Sequence, residues 1–140
     1  MQAFAIIAFL AVVGIGFVDC YAENYTISED AKWVVRGMFQ PTFHLIVLST
    51  KDGSLVADLQ ANSTKLVLRG DNKILKKSLP EIDWNEGHKV GIQGNGVNHF
   101  KFFFDHWTVG EVPIPAGNKV EDYYQIQLSG FTKMYYGVEN

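Results

Sequence analysis

Polar side chains with regular spacing occupy the stretch DLQANSTKLVLRG, residues 58–70. Asp58, Gln60 and Asn62 alternate with apolar residues, and in an extended strand such residues share one face. Together with Arg69 they offer a carboxylate, two amides and a guanidinium, which can bind ligand hydroxyls by hydrogen bonds. A solvated face of an antiparallel sheet has the same pattern, so the spacing alone leaves both interpretations open.

Two tripeptides match the acceptor pattern for N-linked glycans. Asn24 begins the sequence NYT and Asn62 begins NST. Both are glycosylation candidates if the chain is secreted. A glycan on Asn62 would lie on or beside the polar face, whereas Asn24 is expected to be exposed near the start of the mature chain.

The histidines and the cysteine give no catalytic or metal-binding pattern. No pair among His44, His88, His99 and His106 has the i, i+4 spacing of a zinc-binding helix. The chain has no Gly-x-Ser-x-Gly motif and no phosphate-binding loop, and its one cysteine, Cys20, is a poor candidate nucleophile. We therefore expect no enzyme activity, no metal and no cofactor.

The composition is that of one folded domain. The 140 residues are 47% hydrophobic and 19% charged, which is unlike a disordered chain. The formal net charge of −3 gives no electrostatic reason to expect nucleic acid or an anionic membrane as a partner.

The first twenty residues resemble a secretory signal peptide. The run from Ala3 to Val18 is uncharged and apolar, and it is short for a spanning helix. Cleavage is expected after Cys20, with cleavage after Ala22 or a retained anchor as alternatives. Residues 21–140 would then form a secreted, extracellular domain that lacks cysteine and has no further membrane attachment.

The remaining chain alternates between short strands and turns, which predicts an all-β sandwich or barrel. Lys51-Asp52-Gly53-Ser54 predicts a hairpin turn, because Asp-Gly readily adopts the positive φ angles of tight turns. In NHFKFFFDH, the side chains of Phe100, Phe102 and Phe104 share one face. The predicted strands are 32–39, 42–50, 55–61, 65–70, 88–94, 98–106, 108–114, 122–130 and 132–138.

The order of these segments resembles a galectin-type carbohydrate-recognition domain over residues 33–138. HKVGIQGNGVNHFKFFFDHWTVGEVPIP and VEDYYQIQLSGFTKMYYGV are similar to the second half of that domain. FHLIVLSTKDGSLVADLQ resembles the hairpin whose return strand binds the sugar. The resemblance implies a jelly-roll type sandwich of two antiparallel sheets, with β-galactosides as the usual ligands.

The resemblance also places a candidate sugar site, but with most of the usual side chains replaced. Asp58 stands where the family has a His, Gln60 near an Asn, and Asn62 near an Arg. Arg69 stands at the position of a second Asn, and Lys77 is near the last Arg. The family's Trp-Gly-x-Glu pattern would fall within DNKILKK, which has neither Trp nor Glu.

These residues favour a secreted galectin-like carbohydrate-binding protein with altered or lost galactoside specificity. Its carbohydrate-binding residues would be Asp58, Gln60, Asn62, Arg69 and Lys77, and glycans or glycoproteins would be its partners. Trp84 and Trp107 are the candidates for stacking on a sugar ring. The alternatives are a sugar-independent protein-interaction module and, third, a barrel that carries an apolar ligand; a homodimer is also left open.

Signal cleavage can be tested by expressing the full chain in secretory cells. We expect protein in the medium whose first residue is Tyr21 or Glu23, because the leader carries the cleavage pattern. N-terminal sequencing measures this, and a chain lacking residues 1–20 is the control that stays inside the cell. A secreted or membrane-held chain that begins at Met1 would contradict the prediction.

Overall fold

The described residues form an all-β structure, as the sequence predicted. This computed structural model describes residues 20–79 and 81–139. The apolar leader therefore lies outside the described residues, apart from Cys20, which begins the first strand. No helix in the described part is long and apolar enough to span a membrane. The strands are β1 (Cys20–Thr26), β2 (Lys32–Ser49), β3 (Leu55–Asn62), β4 (Lys65–Gly70), β5 (Lys73–Ser78), β6 (His88–Asn95), β7 (His99–Phe104), β8 (Trp107–Pro113) and β9 (Tyr123–Glu139).

The two layers of the sandwich are one hydrogen-bonded sheet that folds back on itself. The second half of β2 pairs with β3 and with the first half of β9, which extends the sheet to β4, β5 and β1. The first half of β2 pairs with β6 and with the second half of β9, and this sheet continues to β7 and β8. We call these the first sheet, in the order β1-β9-β2-β3-β4-β5, and the second sheet, in the order β9-β2-β6-β7-β8.

Two pairs of predicted strands are single long strands that contribute to both sheets. Segments 32–39 and 42–50 are joined in β2, although Pro41 lacks the N–H that a regular ladder requires. Segments 122–130 and 132–138 are joined in β9. The structure also contains β1 and β5, two strands with partners on one side only, which the sequence pattern did not identify.

The sheet folds back on itself where β2 and β9 pass between the first sheet and the second. Phe39 pairs with Phe131 and His44 with Ser129, so residues 40–43 of β2 lie opposite Gly130 alone. Gly130 has φ = +78°, and a Cβ placed on it would lie 2.8 Å from the Cα of Phe43. Extra residues in one strand bend a sheet sharply. A side chain at position 130 would prevent β9 from approaching Phe43 of β2 this closely.

The interior is filled by large apolar side chains from both sheets. Phe100, Phe102 and Phe104 are fully buried, which confirms the face predicted from their alternation. The sheets approach closely at Gly70, where a Cβ would lie 2.3 Å from the Cβ of Val112. The filled interior disfavours an enclosed pocket for an apolar ligand. The largest fully buried side chains are Trp33, Tyr124, Phe43, Phe100, Phe102, Phe104, Phe131, Ile27, Leu45, Leu59, Leu66 and Leu68.

The side chain of His88 anchors the loop between β5 and β6. His88, whose side chain is 7% exposed, bonds the Asp105 carboxylate through Nδ1 and the Asp83 carbonyl through Nε2, both at 2.8 Å. Both partners are acceptors, so both ring nitrogens must carry hydrogen, as in imidazolium. Burial opposes this charge, but the bonds to Asp83 and Asp105 outweigh it and raise the pKa of His88.

Gly130→Ala should destabilise the fold by about 2–4 kcal/mol, because it adds both a disfavoured φ and a clash with Phe43. Gly53→Ala is the matched control, since Gly53 has φ = +76° but no atom lies within 4 Å of the point that its Cβ would occupy. That control should cost about 1 kcal/mol. Urea unfolding measures both, and equal losses would show that close packing at the corner is unimportant.

The stabilisation from His88 should depend on pH. Its folded-state pKa is raised, so its contribution is complete below the unfolded value near 6.5 and disappears as pH rises through the folded value. Urea unfolding between pH 5 and 9 should show His88→Gln less stable than the parent at pH 5, with the difference shrinking above neutrality. His106→Gln removes an exposed histidine as a control, and a pH-independent difference for His88→Gln would contradict this assignment.

Candidate functional site

The outer face of the first sheet brings together four of the five predicted carbohydrate-binding residues. Asp58, Gln60 and Asn62 project from β3 on this face, and Arg69 of β4 lies directly opposite Asp58. Gln60 and Asn62 are exposed, so their amides are available to a ligand. The alternation read from the sequence therefore places these side chains on one accessible surface.

Asp58 is the most buried polar group of this face, at 6% exposure. The Nη1 of Arg69 lies 3.4 Å from its Oδ1, and the Nε2 of His44 lies 3.5 Å from the same oxygen. A buried carboxylate needs such partners because it has lost most of its water. Arg69 remains 44% exposed and so can also bond a ligand from its outer side.

His44 is a member of this cluster that the sequence prediction left out. It lies on β2 opposite Gln60, and Ile46 of the same strand lies opposite Asp58. Its Nε2 is buried and forms no hydrogen bond among the described residues, although it lies 3.5 Å from Oδ1 of Asp58. The available signal was the alternation in FHLIVLST, which separates His44 and Ile46 from the buried side chains of Phe43 and Leu45.

Lys77, the fifth predicted residue, lies on the opposite face of the first sheet. It pairs with Leu66, whose side chain is in the core, and its Nζ donates to the carbonyl oxygen of Thr108 at 3.1 Å. Because side chains alternate along a strand, its neighbour Lys76 occupies the outer face instead. Lys77 therefore links the two sheets at their edge and does not join the Asp58 cluster.

No tryptophan of the described residues lies on the outer face of the first sheet. Trp33 is buried, and Trp84 packs on Phe43 and Phe104 at centroid distances of 6.4 and 6.1 Å. Trp107 stacks on Phe104 at 6.1 Å. The two candidates for sugar stacking are thus packed against the core. The apolar side chain nearest the Asp58–Arg69 pair on its β5 side is Ile74, which lies opposite Arg69 and is 60% exposed.

A groove of about 410 Å³ lies at the end of the second sheet. The charged side chains that line it already have partners: Arg36 and Lys89 donate to the nearby Glu139, and His88 is hydrogen-bonded to Asp105. The bond from Lys89 lowers the pKa of Glu139. Among residues 20–79 and 81–139, no cluster of three or more His, Cys, Asp or Glu side chains is arranged to hold a metal ion. The groove is lined by Arg36, Gly37, Gly87, His88, Lys89, Asp105 and His106.

Both sequon asparagines are exposed. Asn62 ends β3 on the same face as Gln60, and the following Ser63 has φ = +52° in the turn to β4. The amide of Ser63 donates to the carbonyl oxygen of Pro41 at 2.9 Å, which anchors this turn to the corner of β2. Asn24 lies on β1, opposite Gln125.

Comparison with solved structures finds galectins, each at low sequence identity. A toad ovary galectin in complex with thio-digalactose matches with a TM-score of 0.64 and 9% identity, covering 85% of this chain and 98% of that one. Congerin II liganded with lactose and MES matches with a TM-score of 0.62 and 15% identity, covering 86% and 100%. Sheep galectin-11 in complex with glycerol matches with a TM-score of 0.61 and 9% identity, covering 85% and 98%. No family model and no curated protein matches by sequence. The shared strand arrangement, over most of the chain, shows that this protein has a galectin-like fold.

Proposed function

We propose that this protein is a secreted lectin whose glycan site is the outer face of the first sheet. The observation that carries the proposal is the convergence of Asp58, Arg69, Gln60 and His44 on one surface of a galectin-like sandwich. Structures of similar fold were solved with lactose and with thio-digalactose, which makes saccharides the first ligands to consider here.

Each group has a chemical role in this proposal. The exposed amide of Gln60 both donates and accepts hydrogen bonds, so it suits a hydroxyl pair on a sugar ring. Arg69 donates from its exposed side while Asp58 holds its guanidinium in place. Ile74 supplies apolar contact for the C–H face of the ring. The protein binds the sugar and carries out no reaction on it.

The specificity should differ from that of a galactoside site. A tryptophan platform is missing from the described part of this face, and Asp58 is already in contact with Arg69 and His44. Hydroxyls exchange water for protein partners with little net gain, and an aliphatic contact adds less than an aromatic ring. We therefore expect weak binding at each site and poor retention by lactose.

The same observations favour a second function, a protein-interaction module without sugar binding. A mixed surface with exposed Ile74, Gln60 and Arg69 also suits a protein partner. A glycan attached at Asn62 would cover part of the face and would oppose both functions there. Comparing the enzymatically deglycosylated chain with the untreated chain distinguishes a site covered by its own glycan from a site that cannot bind a ligand.

The lectin proposal predicts that Gln60→Ala and Arg69→Ala each weaken glycan binding roughly tenfold, because each removes one or two hydrogen bonds to the sugar. Lys77→Ala is the matched control, since Lys77 lies on the other face of the first sheet and should leave affinity unchanged. A broad glycan array identifies a ligand, and titration calorimetry then measures the affinity of each variant.

If the deglycosylated chain binds no glycan on the array, the result would contradict the lectin proposal and favour the interaction module. Equal losses in Lys77→Ala and Gln60→Ala would place the ligand elsewhere. Thermal unfolding of every variant shows whether a loss of affinity comes from unfolding of the protein. Gln60 is exposed, so Gln60→Ala should leave the fold intact. Arg69→Ala also removes the hydrogen-bond donor of the buried Asp58 carboxylate, so Gln60→Ala is the deciding variant of the two.

A further inference from the structure

The positive charge of this acidic chain is concentrated beside the Asp58 cluster. The chain carries a net charge of −3, yet five of its twelve Lys and Arg residues lie between positions 65 and 77. Within that span the one acidic residue is Asp71, in the turn between β4 and β5. Such a local excess is opposite in sign to the whole protein, so it creates a distinct positive surface.

The strand register places three of these cations on the outer face of the first sheet. Lys65 and Arg69 project from β4, and Lys76 projects from β5 opposite Val67. Lys76 is therefore the diagonal neighbour of both, and the Cα atoms of such neighbours lie about 7–8 Å apart. We call Lys65, Arg69 and Lys76 the cationic triangle.

Two of the three cations in the triangle have no acidic partner among the described residues. Asp58 contacts Arg69, but among the described residues neither Lys65 nor Lys76 forms an ion pair. The side chains that flank them on this face are neutral: Asn62, Ser78 and Val67. Like charges on neighbouring positions repel one another, and an anionic group bound between them would offset that repulsion.

We propose that the glycans bound by this face are acidic, carrying a sulfate or carboxylate group that sits between Lys65 and Lys76. This inference rests on the proposed lectin function and names its ligand class. The neutral part of the sugar would contact Gln60 and the outer side of Arg69. The acidic substituent lies away from the buried Asp58 carboxylate, which avoids repulsion between the two negative charges.

The test compares matched oligosaccharides that share one backbone and differ only in carrying no acidic group, a sulfate or a carboxylate. The deglycosylated chain is titrated with each ligand at low and at high salt. We expect at least one acidic form to bind roughly tenfold more tightly than the neutral parent at low salt. The advantage should shrink at high salt, because exposed charges are screened over about 8–10 Å.

Charge-neutralising variants locate the anion. Lys65→Gln with Lys76→Gln should remove most of the preference for the acidic ligand and leave neutral binding unchanged. Lys101→Gln with Lys119→Gln removes the same charge from β7 and from the loop after β8, and it should leave the preference intact. Circular dichroism with thermal unfolding shows whether both double variants are folded.

The outcomes separate this inference from the lectin proposal. If the chain binds the acidic and neutral ligands equally well, and Gln60→Ala weakens both, the ligand need not be acidic. That result would overturn this inference and leave the lectin proposal standing. Equal loss of preference in both double variants would overturn the cationic triangle as the site. Inorganic polyphosphate binding as tightly as the sulfated sugar would show general polyanion attraction and overturn the inference. Binding of no saccharide at all would defeat the lectin proposal itself.

Discussion

The close approach of Gly130 to Phe43 sets the geometry on which the two-layer arrangement depends. At this corner β2 and β9 leave one sheet and enter the other, and four residues of β2 lie opposite a single residue of β9. The rings of Phe39, Phe43 and Phe131 meet here with centroids 4.4–5.4 Å apart. Aromatic packing therefore holds the bend that glycine makes sterically available.

The corner also determines where the candidate site lies. Residues 40–43 extend towards the turn between β3 and β4, and the carbonyl of Pro41 accepts the amide hydrogen of Ser63. Immediately beyond the corner, His44 enters the regular ladder opposite Gln60. From that point alternation alone distributes the side chains, so Asp58, Gln60 and Asn62 face outward while Leu59 and Ala61 enter the core. The bend thus fixes which side chains of this sheet face solvent and which enter the core.

Much of this could be predicted from sequence because the signals are local. Alternation placed Phe100, Phe102 and Phe104 in the core, and Asp-Gly marked the hairpin at Gly53. The joining of two predicted strands into β2 and the role of Gly130 depend on contacts between residues far apart in sequence. The segment KILKKS has no clean alternation, so neither β5 nor the side that Lys77 takes was evident. Pairing with β4 assigns Lys76 to the outer face and Lys77 to the inner one.

The structure separates the groups that stabilise it from those available for recognition. His88 donates to the Asp105 carboxylate and to the Asp83 carbonyl, and Glu139 pairs with Arg36 and Lys89 beside the adjacent groove. On the outer face of the first sheet, Gln60 is exposed and Lys76 has no ion-pair partner among the described residues. Asp58 is the exception, because it is buried and bound to Arg69. Its contact with Arg69 orients a guanidinium whose outer side stays in solvent, which is the arrangement that the proposed lectin function requires.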